Sequence, residues 1–320
     1  MKKTLAILMA LVMVLGACTF ASAEVKTYKV GISIYQYTDN FMTLYRTELE
    51  NYLTGMGHTV TVVDGKNDQA EQTNQINSFI AQGVDVLIVN LVQSTAAATV
   101  IDLAAAADIP VVFINREPVA EDLAIWEKVC YVGADARQSG TYQGELILAT
   151  ANQGDINGDG KISYIMIQGD PENIDAQYRT EFSVKALTDA GKTVECLDSQ
   201  VGNWDQTKGQ ELCANALTVH GYDVEVVFCN NDGMAMGALT AIQTAGRIVG
   251  EDIYLVGVDA LPEAVEAIKL GDMTGTVLND HIGQSHAAVD VAVQLLKGEE
   301  IQNYYWVNYV KVDKAYAEAQ

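Results

Sequence analysis

The sequence is poor in cysteine and lacks the spacings that cysteine-based sites require. Four of its five cysteines lie beyond the N-terminal segment: Cys130, Cys196, Cys213 and Cys229. They form no CxxC pair, and they are too sparse for a disulfide scaffold. Cys130 and Cys229 sit in apolar runs typical of strands, which predicts buried side chains. A Cys196–Cys213 bridge after export is left open, because a sequence does not give the geometry that a disulfide needs.

Positive charge is also scarce. The chain has 19 Lys and Arg against 42 Asp and Glu, a formal net charge of −23, and removal of Lys2 and Lys3 with a leader makes it −25. A field of this sign repels phosphate backbones, so the composition argues against nucleic-acid binding. It is typical of a solvated protein outside the cell and says nothing about a substrate.

Long apolar runs are absent after the first residues of the chain. Lys2 and Lys3 precede the apolar run from Leu5 to Leu15, and small residues follow it. This layout is typical of a secretory signal whose apolar part is too short to span a bilayer. Residues 21–23 (Ala-Ser-Ala) fit cleavage after residue 23, whereas residues 15–18 (Leu-Gly-Ala-Cys) resemble a lipobox that would remove residues 1–17 and lipidate Cys18. We expect an exported protein, either periplasmic or lipid-anchored on the outer face of the cell membrane.

The mature chain alternates between strand and helix patterns throughout. Short β-branched runs at 28–34, 59–63, 86–89, 111–114, 162–167, 193–197, 224–229, 254–258 and 275–278 alternate with helical segments. Those helical segments are predicted at 41–53, 69–82, 96–107, 138–151, 176–190, 206–217, 234–244 and 262–270, with a late helix at 281–296 and a strand at 304–312. Apolar strands between helices indicate parallel sheets covered on both faces. The predicted fold class is therefore α/β, with two Rossmann-like, doubly wound units in series.

Asn or Asp follows five of the predicted strands. These residues are Asp39, Asn115, Asn231, Asp259 and Asn279. Each one alone is explained as a helix N-cap or a turn former. Because open α/β sheets bind ligands at the carboxyl ends of their strands, five such residues in two units favour a shared polar site.

The residue types at these strand ends suit a polyhydroxylated ligand. A hydroxyl donates once and also accepts, so carboxylates, amides and a guanidinium can all pair with it. A sugar also has apolar C–H faces that aromatic rings can cover. Phe41 and Trp204 are the candidates, although Phe41 taken alone is better explained as a core residue at the start of a helix.

Residues 155–163 (Asp-Ile-Asn-Gly-Asp-Gly-Lys-Ile-Ser) match the first nine positions of an EF-hand loop. Asp155, Asn157, Asp159 and Ser163 supply side-chain oxygens, and Lys161 stands where a backbone carbonyl binds. The match fails at position 12, where Met166 replaces the bidentate Glu. Either the segment is a Gly/Asp turn, or the missing carboxylate comes from elsewhere in the fold. We favour a Ca²⁺ site, in which short Ser163 reaches the ion through water.

Several motifs together resemble the periplasmic galactose/glucose-binding proteins, the substrate receptors of ABC sugar importers. The resemblance covers the chain from residue 28 to its end, and its motifs lie at 37–42 (YTDNFM), 115–118 (NREP), 230–237 (NNDGMAMG), 257–264 (GVDALPEA) and 276–280 (TVLND). It implies a type I binding-protein fold with two lobes joined by three crossovers near Val132, Asp280 and Gln302. The N-terminal lobe would comprise residues 25–132 and 281–302, and the C-terminal lobe residues 133–280 and 303–320.

The resemblance also implies roles for individual residues. It implies sugar-binding roles for Asp39, Asn115, Asp175, Arg179, Asn231, Asp259 and Asn279, and places Phe41 and Trp204 on opposite faces of the sugar ring. It places Glu225 as the carboxylate that completes the calcium loop. Two positions depart from the family pattern. Asn173 replaces a His and can still donate to a hydroxyl, and Ser163 replaces a Gln in the loop.

The function predicted from these features is binding of D-galactose or D-glucose, without catalysis, by a monomer that closes on its ligand and docks on ABC permease subunits. Another monosaccharide, such as a pentose or a different hexose, or a sugar-like signal is the alternative ligand. A LacI-type repressor would need a DNA-binding N-terminus and a basic face, whereas this sequence begins with a predicted export signal and has a net charge of −23. A glycoside hydrolase would need a carboxylic acid with a raised pKa, and the sequence points to none. A role at a chemotaxis receptor is left open.

Overall fold

The computed structural model describes residues 26–320, which fold into two α/β lobes. The strands are β1 (Lys29–Ile34), β2 (Thr59–Asp64), β3 (Val86–Val89), β4 (Val111–Ile114), β5 (Val129–Gly133), β6 (Lys161–Gln168), β7 (Thr193–Val201), β8 (Val226–Cys229), β9 (Tyr254–Val256), β10 (Thr276–Leu278), β11 (Tyr304–Trp306) and β12 (Val310–Val312). The helices are α1 (Asn40–Gly55), α2 (Gln69–Gln82), α3 (Ala97–Ala106), α4 (Ala120–Leu123), α5 (Ala136–Leu148), α6 (Ile174–Asp189), α7 (Gln206–His220), α8 (Asp232–Thr244), α9 (Pro262–Leu270), α10 (His281–Lys297) and α11 (Lys314–Ala319). Within residues 26–320, no helix has the length and apolar character to cross a membrane.

The first lobe is built on a six-stranded parallel sheet in the order β11-β5-β4-β3-β1-β2. Every residue of β3 and β4 is buried, because helices cover both faces of the sheet. Val86 and Ile88 pack with α1 and α10 on one face, while Leu87 and Val89 pack with α2 and α3 on the other. This explains why the central strands are continuous apolar runs rather than alternating ones.

The second lobe contains a four-stranded parallel sheet in the order β7-β6-β8-β9. Parallel bridges from Val256 to Gly275 and from Asp259 to Leu278 attach β10 to its edge, and β12 pairs antiparallel with β10. Helices α5 and α6 pack together, as do α7 and α8. The fold class predicted from the sequence, two doubly wound parallel-sheet lobes, is confirmed.

The chain crosses between the lobes three times. The first crossing follows β5 at Gly133, and the second follows β10 near Asp280. The third was expected near Gln302, and that position is wrong. Strand β11 pairs with β5, with Tyr304 opposite Tyr131, so residues 303–306 belong to the first lobe. The third crossing therefore lies at residues 307–309, and the predicted strand 304–312 is two strands in different sheets.

The four cysteines within residues 26–320 are all free. Cys213 is fully buried in the core of the second lobe, whereas Cys196 is exposed on β7, so the Cys196–Cys213 bridge that the sequence left open is not formed. Cys130 and Cys229 are buried, as their apolar surroundings predicted. Burial raises the pKa of the Cys130 thiol to about 12, which leaves it unreactive.

Candidate ligand-binding cleft

The two lobes meet around a cavity with about 330 Å³ of empty space, including the part open to solvent. The residues that line it are Tyr35, Asp39, Phe41, Met42, Asn115, Arg116, Asn173, Asp175, Arg179, Trp204, Asn231, Asp259 and Asn279. All ten ligand-binding residues predicted from the sequence are among them. Tyr35, Met42 and Arg116 are the three that the prediction missed. We call this space the inner cavity.

Helix N-termini hold several of these residues in place. Asp39 caps α1 by accepting a hydrogen bond from the backbone N–H of Met42 at 2.7 Å. Asn173 caps α6, and Asn231 caps α8. The capping and ligand-binding interpretations are therefore compatible, because the cap places each side chain at the carboxyl edge of the sheet.

Arg179 lies at the centre of the second lobe's share of the cavity and is 3% exposed. Its Nη1 donates to the carbonyl of Asn230 at 2.8 Å, and its Nη2 donates to the hydroxyl of Tyr309 at 3.1 Å. The carboxylates of Asp175 and Asp259 each lie 3.9 Å from the guanidinium, beyond hydrogen-bonding distance. Its Nε has no hydrogen-bond partner among residues 26–320. The buried cation is thus incompletely paired.

Burial dominates the electrostatics of the carboxyl groups in the cavity. It raises the pKa of Asp175 to about 6, although Arg179 opposes this effect. It also raises the pKa of Asp259 well above its ordinary value, again against Arg179. Glu117, just behind Arg116, has a pKa of about 7 because of burial and of repulsion from Asp175. A ligand that donates hydrogen bonds to these groups would stabilise their ionised forms.

Asp259 belongs to a chain of polar contacts that extends to the second crossing. The Nδ2 of Asn279 donates to the Oδ1 of Asp259 at 3.2 Å, and the Nε2 of Gln284 donates to the Oδ1 of Asn279 at 2.6 Å.

The backbone is strained on both sides of the cavity, with φ of 124° at Asp259 and 61° at Asn115. Such conformations at non-glycine residues are costly and concentrate at functional sites.

Phe41 of the first lobe and Trp204 of the second supply the aromatic surface. Phe41 is 5% exposed and lies 5.9 Å from Tyr45 between ring centroids. Trp204 covers the backbone of Gly169 so closely that a Cβ at that glycine would lie 2.2 Å from the indole ring. The glycine therefore lets the indole lie flat against the end of β6.

Tyr35 and Arg116, two of the three residues that the sequence-based prediction missed, form a network of contacts that extends out of the inner cavity. The hydroxyl of Tyr35 donates to the Oδ2 of Asp39 at 2.6 Å, and the Arg116 guanidinium stacks on the Tyr35 ring at 4.0 Å. Arg116 then reaches across the cleft to Asp170. Arg116 directly follows Asn115 in the sequence, so its position next to a predicted site residue was a usable signal. Nothing in the sequence indicated that Asp170, in the other lobe, is its partner.

Glu225 contacts the loop that the sequence identified as a candidate calcium site. It is 1% exposed, and its Oε1 accepts hydrogen bonds from the backbone N–H groups of Ile156 and Asn157 at 2.7 and 2.9 Å. Its Oε2 accepts from the N–H of Ser163 at 2.8 Å. A carboxylate has about four lone-pair positions, so one remains free. The residue proposed to complete the loop does lie against it.

The other loop oxygens are engaged within the loop itself. Asp155, Asn157 and Asp159 accept backbone hydrogen bonds from residues two to five positions ahead. The Lys161 ammonium pairs with Glu195. Within residues 26–320, no three acidic, His or Cys side chains converge closely enough to hold a metal ion. The donors match calcium in type, although the three carboxylates Asp155, Asp159 and Glu225 do not form such a cluster.

Comparison with known proteins agrees with this architecture. The periplasmic binding protein domain family matches residues 30–300. A D-galactose/methyl-galactoside-binding periplasmic protein of Haemophilus influenzae is 35% identical, and the alignment covers 98% of each chain. A ribose import binding protein of Salmonella typhimurium is 31% identical over 94% of this chain and 95% of its own. Among solved structures, an ABC transporter solute-binding protein of Bacillus halodurans with bound myo-inositol is 26% identical, with a TM-score of 0.81 over 93% of this chain and 98% of that one.

These similarities extend across both lobes and the crossings between them. They confirm the prediction of a binding protein rather than an enzyme, and of a location outside the cytoplasm. The predicted signal segment and Cys18 lie outside the described residues. A family match over residues 30–300 and a relative 35% identical over nearly the whole chain show that the chain belongs to the periplasmic binding protein family.

Proposed function

We propose that this protein is the substrate-binding component of an ABC importer and that it binds a monosaccharide in the inner cavity, with D-galactose and D-glucose as the preferred ligands. The observation that carries the proposal is the incomplete pairing of Arg179. This buried guanidinium has a free Nε and two carboxylates 3.9 Å away. Hydroxyl groups inserted between them would accept from the guanidinium and donate to the carboxylates.

The composition of the inner cavity supports a neutral, hydroxylated ring rather than a charged ligand. Asp39, Asp175 and Asp259 supply acceptors, and Asn115, Asn173 and Asn231 supply amides from the two lobes. Phe41 and Trp204 add apolar surface for the C–H faces of a ring. The name of the Haemophilus influenzae relative supports galactose in particular.

Another ring with several hydroxyls, such as a pentose or a cyclic polyol, is the second candidate. The name of one relative gives ribose as its ligand, and that of one structural neighbour gives myo-inositol. Asn173 favours this candidate, because its Oδ1 accepts from the N–H of Asp175 as the cap of α6, which leaves its amide N–H groups and one lone pair of Oδ1 for a ligand. That restricts which hydroxyl positions it can recognise.

A thermal-shift panel separates these candidates. The protein is mixed with D-galactose, D-glucose, D-ribose, L-arabinose, D-xylose and myo-inositol at equal concentrations, and the recovered sugars are analysed for turnover. We expect the two hexoses to give the largest rise in Tm and every sugar to be recovered unchanged. A larger shift with ribose or myo-inositol would replace the hexose assignment, and turnover of a sugar or glycoside would contradict the binding function.

We also propose that the loop 155–163 binds Ca²⁺ with Asp155, Asn157, Asp159, the carbonyl of Lys161, Ser163 and Glu225. Support comes from the buried Glu225 carboxylate, which contacts the loop and has only backbone N–H groups as partners. The ion would neutralise this concentration of acceptors and stabilise the second lobe. After chelation, added Ca²⁺ should raise the Tm of the wild type and not that of Glu225→Gln, with Glu251→Gln as the surface control. No rise with Ca²⁺ in the wild type would refute the site.

Closure around the ligand would present residues of both lobes to the permease subunits. The three crossings at residues 134–135, 279–280 and 307–309 allow one lobe to move against the other. Binding would then act by shifting the population towards the closed form. Small-angle scattering should show a smaller radius of gyration with the bound sugar than without it, and equal radii would contradict closure.

A further inference from the structure

A second and larger space lies between the lobes, next to the inner cavity. It has about 1,320 Å³ of empty space, including the part open to solvent, against about 330 Å³ for the inner cavity. Tyr35, Asp39, Arg116 and Trp204 line both spaces. The two spaces are therefore adjacent, and a group attached to a ligand in the inner cavity would extend towards this one. We call it the outer chamber.

Side-chain amides from both lobes face the outer chamber. Gln36, Asn67 and Gln93 come from loops that follow β1, β2 and β3 in the first lobe. Asn203 and Gln206 come from the start of α7 and the loop before it in the second lobe. An amide offers two donors and an acceptor with two lone pairs, which is the pattern that hydroxyl groups can satisfy from either side.

The charges of the chamber argue against an ionic occupant. Among the described residues that line the chamber, Arg116 is the one cation, and its guanidinium is already paired with Asp170 and donates to the carbonyl of Val92. An anion would therefore meet Asp170, Glu172 and Asp205 without a free positive partner. An apolar group would also bind poorly, since Val92 is the one aliphatic residue among the described residues that line the chamber.

We propose that the outer chamber binds a second sugar unit, or an equivalent polyol, attached to the sugar in the inner cavity. This inference rests on the proposed function and extends its substrate class from free monosaccharides to glycosides and short oligosaccharides. Gln93 of the first lobe and Gln206 of the second are the residues we assign to the second unit. No bond forms or breaks, because the group is recognised and released unchanged.

Calorimetry with matched ligands tests this assignment. The ligands are D-galactose and D-glucose with four disaccharides that end in one of them: lactose, melibiose, maltose and cellobiose. We expect at least one disaccharide to bind within about tenfold of its terminal monosaccharide. The variant Gln93→Ala/Gln206→Ala should weaken that disaccharide by at least about fivefold and leave the monosaccharide within about twofold. Gln210→Ala, on the exposed side of α7, is the matched control.

The outcomes separate this inference from the function on which it rests. If the monosaccharides bind and all four disaccharides are more than about tenfold weaker, the outer chamber is not a sugar subsite and the proposed function stands. If the double variant weakens both kinds of ligand equally, the two glutamines act on closure and the assignment is wrong. If neither kind of ligand binds, the hexose assignment in the proposed function is refuted together with this inference.

Discussion

Arg116 of the first lobe and Asp170 of the second form an ion pair across the cleft, with Nη1 of the guanidinium 3.2 Å from Oδ2 of the carboxylate. Arg116 is 3% exposed and stacks on Tyr35, which in turn holds Asp39. The pair thus connects closure of the lobes to the position of a proposed sugar ligand. A partly buried pair of this kind is screened less by salt than a surface pair.

Neutralising Asp170 should shift the ligand-free protein towards open forms. Asp170→Asn removes the interlobe attraction and leaves the Arg116 charge without its partner, so we expect a larger radius of gyration without ligand. Sugar affinity should fall by about threefold to tenfold although Asp170 lies outside the inner cavity. Scattering and calorimetry measure the two effects. Asp189→Asn, at an exposed pair on α6, is the control, and equal behaviour of the two variants would contradict the role of the pair.

Removal of the indole should cost most of the sugar affinity. Trp204→Ala deletes the aromatic surface of the second lobe, and loss of a buried tryptophan anchor weakens binding by about 2 kcal/mol or more, which is about thirtyfold. Trp126→Ala in the first lobe removes a tryptophan away from the cavity and serves as the control. Unchanged affinity in Trp204→Ala, measured by calorimetry, would rule out stacking on this ring.

A smaller change tests whether the position of the indole matters. Gly169→Ala places a Cβ 2.2 Å from the ring of Trp204, so the ring has to move away from the end of β6. We expect weaker sugar binding with a Tm close to that of the wild type. In Gly55→Ala the new methyl group meets nothing within 4 Å, which makes it the matched control. Full affinity in Gly169→Ala would show that the indole is not held in a fixed position.

Sugar affinity should rise with pH through about 6, the pKa of Asp175, and then level off. The ionised carboxylate accepts hydrogen bonds from sugar hydroxyls, so binding releases protons below that pH. The stability of the ligand-free protein should change in the opposite direction. The folded pKa of Asp175 is above its ordinary value, so its contribution to stability is present at low pH and is lost as the pH rises through about 6.

Calorimetry in buffers of different ionisation enthalpy measures the number of protons released. Glu117 also titrates in this range, with a pKa of about 7, and the pKa of Asp259 is raised well above its ordinary value. Glu117→Gln removes the first contribution and leaves those of Asp175 and Asp259, both of which line the inner cavity. Affinity that is independent of pH in Glu117→Gln would contradict the proposed contact with Asp175.

The sequence predicted the inner cavity better than the way the lobes meet. Asp39, Asn173 and Asn231 were recognisable because strand ends and helix caps are local features with characteristic residue types. The Arg116–Asp170 pair joins residues from different lobes and leaves no local pattern. The third crossing was misplaced for a related reason. Strand β11 has three residues, too few for a period, and its place in the first sheet depends on packing of Tyr304 and Trp306 against Tyr131.

The calcium loop shows a different limit. Its spacing was readable, and Glu225 was found only through a resemblance, since it lies 62 residues from Ser163 in the sequence. Whether its oxygens gather around an ion depends on the ion itself, because metal binding and local folding are coupled.

Calorimetric titration of the purified protein with D-galactose and D-glucose tests the central claim most directly, with Arg179→Lys titrated in parallel. Binding of one sugar molecule per chain is expected for both hexoses in the wild type. Arg179→Lys should bind at least about tenfold more weakly, because lysine cannot reproduce the planar set of donors between Asp175 and Asp259. No heat of binding with either hexose, or full affinity in Arg179→Lys, would contradict the account.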